Sequence, residues 1–262
     1  MTFTVLRLQV ADGLARLTFT AGARGNPIDA TFCSELCEAA TQLSEDSNVR
    51  CVLISAEGKA FSYGGDVGAF VSDLDGLPLN IKRWTTTLHS AIARLQRMDA
   101  PIVAAVHGVC AGGMSALVAG SDILIAADSA RFVAAYAGIG FSCDAGSSIM
   151  YSRRMGLGRA RRFLLANETL TANDARDAGL VDEVVPVEQL NARSEAMAKQ
   201  LAAGPTRAFG EMRRLLISAQ NQPLETQLEL EAQALARTSA TSDAKNALTA
   251  FAQKRKPEFT GR

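Results

Sequence analysis

The chain has 262 residues, and its 27 Lys and Arg balance 27 Asp and Glu to a net charge of +0. No global field favours nucleic acid or an anionic membrane, so any anion site has to be local. The length suffices for one large domain with a substantial core, and the apolar run that begins at Ile102 is cut by His107 and by glycines before it could cross a bilayer. From the N-terminus, Met1 to Leu6 alternates as a strand does and shows no basic segment followed by an apolar one, so a cytoplasmic protein without a signal peptide is expected. Residues 3–10 and 14–19, joined across Asp12-Gly13, read as a hairpin. Residues 29–43 place Phe32, Leu36, Ala39, Ala40 and Leu43 on one helical face, and residues 49–55 form a buried strand. A helix over 84–97, a strand over 101–106, a short helix over 112–119 and a strand over 123–126 repeat the order, with one more strand over 132–135. Beyond Asp144 the pattern is helical over 145–155, 158–166, 172–178, 187–203, 205–219 and 224–251, with a brief strand over 181–185. Pro205 and Pro223 mark helix starts.

The five cysteines, Cys33, Cys37, Cys51, Cys110 and Cys143, contain no CxxC, and the two histidines are far apart, so neither a disulfide framework nor a metal site is expected. Cys33 and Cys37 stand one helical turn apart and read as small buried apolar residues.

Two glycine-bearing stretches carry the chemistry. Lys59-Ala60-Phe61-Ser62-Tyr63-Gly64-Gly65-Asp66 and Ala105-Val106-His107-Gly108-Val109-Cys110-Ala111-Gly112-Gly113-Met114 each leave a buried strand through small residues. Bare backbone N–H groups converging from two such turns make an oxyanion hole, and the second turn opens a helix whose dipole favours negative charge. A carbonyl substrate is therefore expected. Asp144 is the leading acid, base or nucleophile to face the hole, although Asp before a helix also reads as an N-cap. Asp66 is placed to cap the helix that follows it. His89 reads from the sequence as a helix-surface or packing residue with catalysis as the alternative, His107 as a loop hydrogen-bonder, and Tyr136 as a packing residue with a polar end.

These stretches resemble the crotonase, or enoyl-CoA hydratase/isomerase, superfamily. The resemblance rests also on Pro101 through Gly108, on Ser121-Asp122-Ile123, on the run from Ala175 to Pro186 and on the tail from Ala250 to Pro257. It implies an α/β fold with a crotonase-like ββα spiral core over residues 1–200 and a C-terminal helical trimerisation region over 201–262. It further implies acyl-CoA thioester substrates, with coenzyme A as part of the substrate and no permanently bound cofactor. A homotrimer or a dimer of trimers follows, with neither nucleic acid nor membrane as partner. Carried over by position, the oxyanion hole is the backbone N–H groups of Tyr63 and Gly113, while Arg24, Phe251 and Lys254 match places that contact coenzyme A. The acyl group is expected to lie against residues 67–89 and the C-terminal helices.

The two glutamates of the hydratases are replaced by Ala116 and Tyr136, which argues against hydration. Asp144 matches the catalytic aspartate of isomerase relatives, so double-bond isomerisation leads. The rival is hydrolytic dehalogenation of a 4-halobenzoyl-CoA, in which an aspartate at Asp144 attacks the ring and a histidine at His89 assists. That subgroup has tryptophan where this chain has Tyr136. A non-catalytic acyl-CoA binder is the reading from another class.

Overall fold

Short runs of Val, Ile, Leu and Ala, too short for helices and closed by small or polar residues, build two sheets. A computed structural model describes residues 3–262; Met1 and Thr2, which open the alternating N-terminal run, lie outside the described residues. In chain order the larger sheet takes Leu6–Ala11 (β1), Leu14–Phe19 (β2), Cys51–Ala56 (β3), Ile102–Val106 (β4), Ile123–Ala127 (β6) and Glu183–Val185 (β9). These six are adjacent in that same order, β1 antiparallel to β2 and the rest parallel. The smaller sheet joins Val109–Ala111 (β5), Arg131–Val133 (β7) and Thr169–Thr171 (β8).

Single parallel rungs, Ile28 on Gly65 and Ser62 on Cys110, extend the smaller sheet toward the glycine loops. The chain thus repeats a strand in the larger sheet, a short extended rung in the second layer, and a helix. β3 leads through residues 62–65 to Val67–Ser72 (α2) and Leu77–Arg97 (α3), and β4 leads through β5 to Gly112–Ala119 (α4). β6 leads through β7 to Ser147–Met155 (α5), and β2 leads past Ile28 to Ala30–Glu45 (α1).

Central strands are buried on both faces. Val52, Ile54 and Ala104 face a core shared with α1, α3 and α4, whereas Cys51, Leu53, Val103 and Ile125 pack beneath Leu190–Ala202 (α8). Successive side chains point to opposite faces of a sheet, so doubly covered strands read as continuous apolar runs. The remaining helices are Leu157–Leu165 (α6), Ala172–Asp177 (α7), Thr206–Ser218 (α9), Leu224–Ser239 (α10) and Ser242–Ala252 (α11).

Four polar residues hold distant segments. Glu35 of α1, 3% exposed, accepts the N–H groups of Thr4, Val5 and Leu6 and the Thr4 hydroxyl, which fixes β1 over the helix. These bonds outweigh burial, which acts in the opposite direction, and hold its carboxyl below the usual range. Arg213 of α9 is buried and donates to the carbonyls of Leu95, Met98 and Ala100 and to Asp122. Arg50 holds the carbonyls of Gly204 and Phe259, and Asp243 accepts the N–H groups of Thr260 and Gly261, so the tail lies back on the chain.

Several expectations need correction. β1 begins at Leu6 rather than residue 3, because the preceding amides go to Glu35 instead of a sheet partner. The helix expected over 84–97 starts about two turns earlier, at Leu77, with Pro78 in its first turn, and α2 precedes it. β5 and β8, of three residues each, are too short to show alternation. The single helix expected over 224–251 is two, because Thr241 leaves the helical conformation and its hydroxyl caps α11 at the N–H of Ala244.

Candidate active site

The two glycine loops lie against each other: a Cβ built on Gly64 would fall 3.1 Å from the carbonyl oxygen of Ala111. Gly64, at φ +90°, has the backbone conformation only glycine adopts readily, and it lets the loops close to this distance. Asn26 and Ser62 stitch the first loop from behind. The Asn26 side-chain amide donates to the carbonyls of Glu57 and Phe61, and the Ser62 hydroxyl donates to the Asn26 carbonyl while accepting the Gly64 N–H. As expected, Asp66 caps α2 at the N–H of Ala69.

Which amides stay free is decided by this stitching, and it corrects one of the expected donors. The Tyr63 N–H donates to the Gly25 carbonyl at 3.0 Å and is already engaged. The rung on Ile28 uses the Gly64 carbonyl and the Asp66 N–H, so the Gly65 N–H between them points away from that partner. Among the described residues the N–H groups of Gly65 and Gly113 have no acceptor, and Gly113 sits in the first turn of α4, where no helical partner exists. The free pair is therefore Gly65 and Gly113.

Both glycines line a cavity of ≈ 750 Å³ bounded by α2, by the first three turns of α3 and by residues 135–144. Leu77, Ile81, Trp84 and Leu88 present the apolar face of α3 to it, and Phe70 and Phe141 cover the side near Gly65. The C-terminal helices, expected to contribute, do not line it. A larger groove of ≈ 940 Å³ between the ends of α1 and α3 is lined by Glu45, Asp46, Arg94, Arg97 and Arg207 and contains neither glycine loop.

Asp144 is the carboxylate in the described lining, and it does not cap α5 with its side chain. Ala145, at φ +55°, and Gly146, at φ +81°, turn the chain so that only the Asp144 carbonyl reaches the helix, accepting the Ser147 N–H. A non-glycine residue held at positive φ is strained, and such residues gather at functional sites. Freed from the helix, the Asp144 Oδ1 meets the His89 Nε2 at 2.7 Å and also accepts the Ala145 N–H. Oδ2 has no partner among the described residues, so one oxygen is anchored and the other is unpaired.

Tyr136 stands beneath. Its hydroxyl donates to the Asp144 carbonyl at 3.1 Å and lies 2.8 Å from Ser147 Oγ, and burial raises the phenol above its usual range. Ala116 is fully buried in α4 and does not line the cavity. Cys33 does, but burial foremost, then the charges of Asp29 and Asp144, push its thiol up to about 12, which removes it as a nucleophile at neutral pH. His107 is the expected loop hydrogen-bonder, 2.9 Å from the Gly58 carbonyl.

Arg24, Phe251 and Lys254 are not brought to the cavity lining. The Arg24 guanidinium bridges Asp29 and Asp66 at 2.8 and 2.9 Å, so two carboxylates already offset its charge. Phe251 is 84% exposed at the end of α11, and Lys254 follows at φ +55°. No cluster able to hold a metal ion occurs among the described residues, and none of their helices is long and apolar enough to cross a membrane.

Two loop amides, one half-anchored carboxylate and a largely apolar cavity are what enolate chemistry on a thioester needs. The chain is 32% identical over 257 residues to the 1,2-epoxyphenylacetyl-CoA isomerase of Escherichia coli (strain K12), covering 97% of both chains. It is 30% identical to 4-chlorobenzoyl coenzyme A dehalogenase-2 of an Arthrobacter species, over 87% of this chain and 83% of that one. A solved structure from Mycobacterium abscessus, described under the enoyl-CoA hydratase/isomerase name, superposes with a TM-score of 0.92 at 34% identity, covering 98% of this chain and 100% of that one. The model of the enoyl-CoA hydratase/isomerase family matches residues 9–262, and the chain belongs to that family, within the crotonase superfamily, and has its fold.

Proposed function

We propose that the protein isomerises the double bond of an enoyl-CoA, with Asp144 as the single acid-base group. The observation that carries this reading is the division of labour on one carboxylate of the cavity lining, Oδ1 held by His89 and Ala145 and Oδ2 without a partner among the described residues. The thioester oxygen sits between the N–H groups of Gly65 and Gly113. Asp144 Oδ2 takes a proton from C2 of a 3-enoyl thioester, the electron pair moves onto the carbonyl oxygen, and the two amides hold the enolate. The C3–C4 double bond then shifts to C2–C3 as the same proton returns to C4. One preorganised donor to such an oxyanion is worth about 3–4 kcal/mol, and a positioned base about 10²–10⁴-fold. No second carboxylate lines the cavity among the described residues, which speaks against water addition by a carboxylate pair.

The His89 contact favours a second reading, in which Asp144 adds to a ring carbon and expels its halide as the ion, and His89 activates the water that attacks the resulting Asp144 ester and releases the hydroxyaryl thioester. Turnover in heavy-oxygen water separates the two. Isomerisation leaves Asp144 unlabelled, whereas the aryl-enzyme route places heavy oxygen in Asp144. Label in that side chain overturns the isomerase reading. His89→Gln retains at least about a tenth of isomerase activity, because Gln can still donate to Oδ1, but it halts the aryl-enzyme route with modified Asp144 accumulating.

Coenzyme A enters as part of the substrate, with no resident cofactor. A homotrimer or a dimer of trimers is supported by the exposed apolar side chains Met212, Leu216, Leu228, Leu235 and Leu248 of α9, α10 and α11. In such an assembly Phe251 and Lys254 serve a neighbouring subunit's coenzyme A. Light scattering after size exclusion gives the mass; a monomer at micromolar concentration contradicts this assembly.

A further inference from the structure

The acyl end of the cavity has a character that the reaction itself does not require. Phe70 lies with its ring centroid 6.0 Å from Trp84, the planes inclined by 24°, and 5.7 Å from Phe141, inclined by 31°. The other ring pairs of the described residues meet nearly edge to face, at 69° to 87°. Edge-to-face contacts fill a core; near-parallel rings lining a cavity continue as a stack that a further ring can extend. Trp84 is the chain's one tryptophan, and Phe141, 37% exposed, forms the open end of the stack.

The stack is also in the right place. A Cβ built on Gly65 would fall 2.6 Å from Phe70 Cζ, so the ring edge rests on the backbone that offers one of the two free amides. Phe70 therefore stands beside the Gly65 N–H on which a substrate carbonyl would be held. Val67, Leu77, Ile81, Leu88 and Ile139 make much of the remaining lining aliphatic, with Tyr63, Thr85 and Ser142 also on it.

We infer that this site selects an acyl group carrying an apolar aromatic ring, seated against Phe70, Trp84 and Phe141; the inference rests on the acyl-CoA reading of the cavity. Burial alone would rank a saturated ring at least as high, since it is the more apolar. Stacking is worth up to about tenfold in affinity beyond burial and is available only to the planar ring. The two contributions therefore predict opposite orders.

The test pairs 3-phenylpropanoyl-CoA with 3-cyclohexylpropanoyl-CoA, equal in carbon count, against free coenzyme A, by titration calorimetry and by the emission of Trp84. We expect the phenyl thioester to bind about three- to tenfold more tightly than the cyclohexyl one and to quench Trp84, which free coenzyme A leaves unchanged. Phe141→Leu, which keeps an apolar side chain at an exposed loop position, reduces the preference to less than twofold. Equal or tighter binding of the cyclohexyl thioester overturns the inference, as does an unchanged preference in Phe141→Leu. Failure of both thioesters to bind more tightly than coenzyme A would instead sink the acyl-CoA reading beneath it.

Discussion

Asparagine at position 144 is nearly isosteric with aspartate, and the two oxygens of that side chain have different duties. Oδ1 accepts from the His89 Nε2 at 2.7 Å and from the Ala145 N–H, and an asparagine carbonyl oxygen can take both. Oδ2 has no partner among the described residues, and an amide nitrogen there is a donor without basicity. The substitution thus removes the base and spares the scaffold. Stability should change by less than about 1 kcal/mol, within the range of substitutions that leave buried hydrogen bonds in place. The loss falls on the chemical step: kcat/KM for a 3-enoyl-CoA drops about 10²–10⁴-fold, or roughly 3–5 kcal/mol of barrier, with KM little changed. The assay follows conjugation of the product by absorbance, with thermal unfolding run alongside. If Asp144→Asn keeps more than about a tenth of wild-type turnover, the open oxygen is not the base. If it unfolds the protein, the anchored oxygen has been misjudged.

Gly113→Ala would place a methyl 3.0 Å from Ile28 Cδ1 and 3.3 Å from Ala145 Cβ, so the loop carrying Asp144 has to give. We expect a stability cost of about 1–3 kcal/mol, together with a loss of turnover larger than the loss of acyl-CoA affinity measured by calorimetry. Arg213→Met leaves the carbonyls of Leu95, Met98 and Ala100 and the Asp122 carboxylate without their donor, and should cost about 3–5 kcal/mol in urea unfolding. Glu35→Gln should cost about 1–3 kcal/mol near neutral pH. Because the folded carboxyl of Glu35 is held below its unfolded value, its contribution is complete above about pH 4.3, the ordinary glutamate value, and fades as the pH falls through the depressed one. Urea midpoints of the wild type should therefore decline over that acid range, and Glu35→Gln should lack that part of the slope.

The strands at the centre of the larger sheet are legible in the sequence because they are covered on both faces and so read as apolar runs, as β4 and the first four residues of β3 do. The hairpin was legible because Asp12 and Gly13 take the positive φ values, 52° and 79°, that an Asp-Gly turn provides. What stayed hidden depended on partners far along the chain. Nothing local to Tyr63 reveals that Gly25 takes its N–H, and this pairing moves the free donor to Gly65. The contact of His89 with Asp144 spans 55 residues, and only the family resemblance drew both into one site. Asp144 was also legible as a helix cap, a reading overruled by the positive φ of Ala145, which local propensity opposes. Phe70, Trp84 and Phe141 come from α2, α3 and the segment before α5, so no single stretch announced an aromatic wall.

The free amide of Gly65 sits on the bridge to Ile28 and that of Gly113 on the first turn of α4, whereas the wall of the cavity is hung on α2, α3 and the turn through Phe141. The two amides and the cavity wall thus rest largely on different elements, which meet where the Phe70 ring touches Gly65 and where His89 of α3 holds Asp144. Mutational drift over residues 67–88 can trade one class of guest for another without loosening the hydrogen bonds that aim Gly65 and Gly113. A lineage built this way diversifies by refurnishing one room, and libraries confined to that stretch should yield altered preference more often than dead protein.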